Sequence, residues 1–139
     1  MTCSPDALLK VNPAIKKYYR VIDIVDYQLK MVKEYKAAFK RFSGSGLFSE
    51  DQLDYIASVH KNLIDGSLNN LDELLMVITA KSLRMNDAER ISAIDRIYLD
   101  VEKKLHFLRT FNNQQSMVGL QRLGDKQDIN NIKTLHGLK

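Results

Sequence analysis

One cysteine, Cys3, stands in the whole chain, so no internal disulfide can form and no thiolate metal cage can be assembled. At the frayed start of the chain its thiol is expected to be incidental, with an intermolecular bridge or anchor as the alternative. Only two prolines occur, both within the first thirteen residues, which leaves everything after Pro13 free to be helical. No run of eighteen apolar residues exists, so no segment is suited to span a bilayer as a helix. The opening MTCSPDALLK lacks the basic end and apolar stretch of an export signal. Localisation therefore stays open: cell envelope or periplasm if an upstream signal has been removed, cytoplasm otherwise.

What is present is globular in character. A hydrophobic content of 45% against 27% charged residues can bury a core, and 139 residues suffice for one core of ordinary size, giving a single domain over residues 1–139. The net charge of +4 is unevenly spread, since residues 1–42 hold nine Lys or Arg against four acids and the remainder is nearly neutral. The first helix is thus the basic one. Lys30, Lys33, Lys36, Lys40 and Arg41 cluster on it as a candidate basic patch, for which a solvated face is the plain reading. Protein contact is the next reading, and nucleic acid or anionic lipid is less favoured.

Apolar residues recur at intervals of three and four. Ser4 before Pro5 and Asn12 before Pro13 read as helix starts. Ile15, Tyr18, Ile22, Val25, Leu29, Val32, Tyr35, Phe39 and Phe42 then form one stripe, predicting a helix over 13–42. The SGSG at 43–46 is a turn, and Ser49 with Gln52 is a capping box that opens a second helix over 50–83. Its stripe of Leu53, Ile56, His60, Leu63, Ser67, Leu71, Leu74 and Ile78 keeps its phase across Gly66, so the glycine is read as internal to the helix. A second capping box, Asn86 to Glu89, starts a third helix over 87–123 with a seam of Ile91, Ile94, Tyr98, Val101, Leu105 and Leu108. Gly124 and Asp125 suggest a stop, followed by a short helix over 126–136. With short joins, the expectation is an all-α, elongated antiparallel three-helix bundle with a short C-terminal helix, each rod about 45 to 50 Å long.

Candidates for chemistry are few. His60 lies on an apolar stripe and reads as a core histidine, His106 follows Glu102 by one turn without a di-iron or zinc pattern, and His136 sits in the tail. Asp54, Asp65, Asp72, Asp87 and Asp95 fall off the seams or in caps, whereas acid and base catalysis needs carboxyls paired in a dry cleft. GSG lacks the lysine of a phosphate loop, and no serine sits in a hydrolase elbow. The expectation is a non-enzymatic chain with no cofactor and no metal.

The stretch LRTFNNQQSMVGLQR, 108–122, breaks the third seam. Asn112, Gln115 and Gly119 occupy its continuation, where hydrocarbon is needed, and buried amides are costly unless their hydrogen bonds are met. Either the helix overshoots its partners here or the amides meet another polar surface. In the second reading Phe111, Asn112, Asn113, Gln114 and Gln115 form a partner-binding site with Phe111 as its anchor.

Several motifs, in order, resemble one family. They are Val-Lys-Glu-Tyr-Lys at 32–36; Phe48, Ser49 and Tyr55; Asn-Leu-Asp at 70–72; Met85 with Asp87, Ala88 and Arg90; Leu-Arg-x-Phe-Asn-Asn-Gln at 108–114; Gln121-Arg122; Asp128-Ile129; and Leu-x-Gly at 135–137. From about residue 15 onward the chain resembles the C-terminal part of the TraI-type, TrbJ-like transfer-operon proteins of Bacteroidetes conjugative transposons. That resemblance implies a helical component of a type IV secretion-like apparatus, acting through contacts with other conjugation proteins and bringing no catalytic residues. A basic helical protein that handles transferred DNA is the alternative, and homo-oligomerisation is compatible with either.

Overall fold

The computed structural model describes residues 13–79 and 85–135, with side chains from 19 to 132. The helix starts at Ser4 and Asn12, Cys3, the 80–83 end assigned to the second helix, and His136 and Gly137 lie outside the described residues. Three helices follow one another: α1 Pro13–Gly44, α2 Glu50–Thr79 and α3 Asp87–Leu135. The described residues contain no strand, and the three helices pack against each other as an all-helical bundle.

Both capping boxes form. Ser49 N–H donates to Gln52 Oε1 at 2.9 Å while Gln52 N–H donates back to Ser49 Oγ at 3.2 Å. Asn86 and Glu89 exchange the same pair of bonds at 3.1 and 2.8 Å, satisfying N–H groups that a helix start otherwise leaves orphaned. Between α1 and α2 the chain turns on Gly46, whose φ of +71° is the left-handed conformation that only glycine adopts without steric cost. Ser45 fastens the turn by donating its hydroxyl to Phe42 O at 2.8 Å.

Side-chain pairs fix how the helices align. Between α2 and α3, Glu73 pairs with Arg96, Asn70 with Asp100 and Lys104, and His60 with Asn112, so one set of numbers falls as the other rises. Between α1 and α3, Arg20 meets Asp95, Tyr27 meets Tyr98 and Glu34 meets Arg109, and the two sets rise together.

The core has two apolar clusters. One gathers Ile24, Met31, Leu74, Val77, Ile94, Ile97, Val101, Leu105 and Leu108, and the other Ala38, Phe42, Ile56 and Phe111. Each fully buried aliphatic side chain contributes about 1.5–3 kcal/mol relative to exposure, so these clusters hold the bundle together.

Three expectations are corrected. The seam of α1 is Ile24, Gln28, Met31, Tyr35, Ala38 and Phe42, while Ile22 and Leu29, assigned above to the seam, are 63% and 64% exposed. Residues 21–32 are apolar over more than half the helix circumference, so two stripes compete and share Tyr35 and Phe42. Among the described residues there is no separate terminal helix, because α3 runs unbroken through Gly124 to Leu135. A single glycine costs about 1 kcal/mol in a helix interior, too little to stop one that good helix formers continue. Finally, α3 does not overshoot its partners at the amides. Asn112 and Gly119 stay buried and in register with the seam.

Gly66 is internal to α2, and its reason is now visible. A Cβ there would stand 2.9 Å from Lys104 Cε, so the missing side chain lets Lys104 cross α2 and donate to Asn70 Oδ1 at 2.7 Å.

Candidate functional site

Of the five residues expected to form a partner site, two face inward. Phe111 is buried, with its ring centroid 5.9 Å from that of Tyr55 and 5.8 Å from that of His60. Asn112 is buried too, and its Oδ1 lies 2.7 Å from His60 Nε2. A carbonyl oxygen only accepts, so Nε2 carries the proton and Nδ1 is left with its lone pair, buried and unpartnered. Tyr35 and Phe39 close the imidazole from α1, each edge-on to the ring. Burial pushes the His60 pKa down, against a smaller upward pull from Asn112, so the ring is held neutral. The amide that breaks the hydrocarbon seam of α3 thus meets the histidine that breaks the seam of α2.

Phe111 and Asn112 are thus largely engaged inside the bundle, with an edge of Asn112 reaching the depression between α1 and α3. Asn113 and Gln114 are exposed and Gln115 is half-buried, so the accessible remnant of the site is Asn113 to Gln115.

Beside it, between α1 and α3, lies a depression of about 360 Å³ lined by Glu34, Ala37, Ala38, Arg41, Arg109, Asn112 and Asn113. Arg109 spans it, donating to both oxygens of Glu34 at 2.8 and 2.7 Å, which holds that carboxyl below its ordinary pKa. Arg41 stands 5.1 Å from the Phe42 ring centroid, exposed at the rim. Chemically this is a hydrogen-bonding surface with two exposed guanidiniums, one of them paired with Glu34, and the exposed amide of Asn113. It holds no nucleophile next to a base.

The side chains of the expected basic patch, Lys30, Lys33, Lys36, Lys40 and Arg41, are exposed. Lys30 pairs with Asp26 at 3.0 Å, whereas Lys33, Lys36 and Lys40 make no ion pair among the described residues. Their spacing of three and four puts them on one stripe of α1. Arg41 stands apart from it, on the flank toward α3.

Several other polar groups bind one another within the bundle. Glu102 accepts from the hydroxyls of Tyr98 at 3.0 Å and Tyr27 at 3.4 Å, so it is engaged away from His106. Asp100 is held below its ordinary pKa by Lys104 and Asn70. Arg122 reaches back to the α1–α2 turn, donating to Leu47 O at 3.0 Å and Gln52 Oε1 at 2.6 Å. Among the described residues no group of three or more His, Cys, Asp or Glu side chains is placed to hold a metal, and no helix is long and apolar enough to cross a membrane.

Sequence reasoning missed two features. The Gly66, Asn70, Asp100 and Lys104 network joins residues about thirty positions apart, and only the α2–α3 register brings them together. An apolar strip on the outer flanks of α1 and α2 was hidden because its α1 half had been assigned to the core. No family model, no curated protein and no solved structure matches this chain.

Proposed function

We propose that this chain is an elongated, antiparallel up-down-up bundle serving as a non-enzymatic structural component of a conjugative DNA-transfer apparatus of the type IV secretion kind. The reading rests on its likeness to the C-terminal part of TraI-type transfer-operon proteins. One observation supports it: residues quoted for that likeness, scattered along the sequence, meet one another in space. Glu34 of the first motif pairs with Arg109 of the fifth, Tyr55 stacks on Phe111, and Arg122 stands 5.4 Å from the Phe48 ring centroid. Motif residues that brace one bundle, with no acid–base pair built around them, fit a part that works through its outer faces. Contacts with other transfer proteins would then fall on exposed groups such as Asn113, Gln114 and Arg41.

Deleting the gene in a host that transfers the element should lower conjugation frequency by orders of magnitude, with recovery in trans. A photo-crosslinker at Asn113 or Gln114 should capture another transfer-operon protein. Unchanged transfer after deletion would sink this reading.

A second reading is favoured by the unpaired stripe of Lys33, Lys36 and Lys40. As a handler of transferred DNA, the chain would bind duplex or single strands at low salt, with affinity falling steeply as salt rises and on Lys33→Ala, Lys36→Ala and Lys40→Ala. Absence of any DNA complex at about 50 mM salt removes it.

A further inference from the structure

α1 carries two apolar stripes, and the bundle uses one. Ile22, Val25 and Leu29 make up the other, and all three are exposed. On α1 the flank toward α3 is marked by Tyr27 and Glu34, which reach Tyr98 and Arg109. The unused stripe lies on the opposite flank, beside α2. On α2 the flank toward α3 is marked by Asn70 and Glu73, and its other flank carries Leu68, Leu75 and Ile78, all exposed, with Leu75 at 60%. The two flanks therefore form one apolar strip along the α1–α2 face.

The heights match. Tyr35 and Phe39 both pack on His60, which sets Leu29 level with Leu68 and Ile22 level with Leu75. Past the strip the same face turns charged, and the two helices differ in sign. α1 bears the unpaired Lys33, Lys36 and Lys40. α2 bears the exposed Lys61–Asp65 ion pair, 2.6 Å long, at these heights and exposed Asp54 about one turn beyond Lys40, a net charge of one negative.

We infer that this face is a homodimer interface, in which a second copy of the chain covers the strip about a two-fold axis parallel to the helices. That operation sets each α1 opposite the other copy's α2 at equal height. Apolar half then meets apolar half, and the lysine border meets a border of opposite net sign. Any other partner would have to supply both halves separately, whereas a second copy already carries them. From Ile22 to Lys40 the face is about 27 Å long, and two helices wide it offers on the order of 600 Å² per copy. The total of about 1,200 Å² sits at the lower edge of stable interfaces, so the dimer should be in measurable equilibrium with monomer.

Sedimentation equilibrium of the full chain over about 1–100 µM tests this. A dimer is expected, weakened by salt. Leu29→Asp and Leu75→Asp should each weaken it at least about tenfold while helicity, read by circular dichroism, stays unchanged, since both side chains are mostly exposed. The pair Lys36→Glu with Lys40→Glu should weaken it as well, and mixing that variant with an Asp54→Lys, Asp65→Lys chain should restore association as a heterodimer. A chain that stays monomeric to about 100 µM overturns the proposal, as does a dimer indifferent to these changes. Capture of a different protein on the strip by a monomeric chain overturns it too. None of these outcomes depends on DNA transfer, so the interface and the transfer role fail or stand separately.

Discussion

Asn112→Leu would strand the Nε2–H of His60 in a site with no other acceptor. A buried donor left without its partner costs about 1–3 kcal/mol, so this single change should lower the unfolding free energy by that amount despite adding hydrocarbon to a hydrocarbon seam. His60→Leu should cost less than the sum of its lost bond and ring packing suggests, because leucine fills part of the same volume. The double variant His60→Leu, Asn112→Leu should recover most of the loss, since replacing both members of a polar pair removes the unmet group. A double-mutant cycle by urea denaturation checks it, and strictly additive effects would show that the two side chains are not coupled. In sequence, each half of this pair was legible only as a fault in its own stripe. Their meeting spans 52 positions and depends on the α2–α3 register, which neither stripe encodes alone. Without that register the amide was offered to an outside partner.

Helix existence, by contrast, was written locally. Ser49 with Gln52 and Asn86 with Glu89 name the starts of α2 and α3, and the structure begins both helices at the next residue. What the periodicity could not decide was rotation, because α1 carries apolar residues on two stripes and burial of one over the other depends on where α3 lies. Gly66 illustrates the same dependence. Gly66→Ala gains about 1 kcal/mol of helix propensity but pushes its Cβ into Lys104, which must withdraw from Asn70. The net change in the native chain should lie near zero, and in a Lys104→Ala background the full gain of about 1 kcal/mol should appear. Equal effects in both backgrounds would mean that Lys104 is not what the glycine accommodates. At the far end of α3, residues 125–132 are all exposed. Ending the chain after Gly124 should therefore leave the melting temperature within about 2 °C while removing helical signal, because a solvated helical extension adds little stability. A large fall would show that interactions of the tail, that of Asn130 among them, hold the bundle.

For the molecule as a whole, the buried His60 sets a pH at which stability begins to decline. Its folded pKa is depressed by burial below the ordinary 6.5, so above that pH the ring is neutral in both states and its contribution is complete. As pH falls below 6.5, the unfolded chain takes up a proton that the folded chain refuses. Stability then drops, with a slope of at most about 1.4 kcal/mol per pH unit, until the pH passes the folded value. Two carboxyls act in the same direction but lower. Glu34, held down by Arg109, and Asp100, held down by Lys104 and Asn70, begin to lose their contributions only as pH falls through about 4.5 and 3.8 respectively. The interval from about pH 5 to 6.5 consequently isolates the histidine. Urea midpoints should fall across it in the native chain and stay flat in His60→Leu, Asn112→Leu, with both declining together at lower pH. Because the pair sits between the two apolar clusters, protonating it would loosen the bundle at the level of Tyr35 and Phe39, where the α1–α2 face begins. The proposed dimer should accordingly weaken over the same interval in the native chain and not in the double variant. A native midpoint that does not move between pH 5 and 6.5 would mean that water reaches the imidazole and that the two clusters are not sealed from each other at that layer.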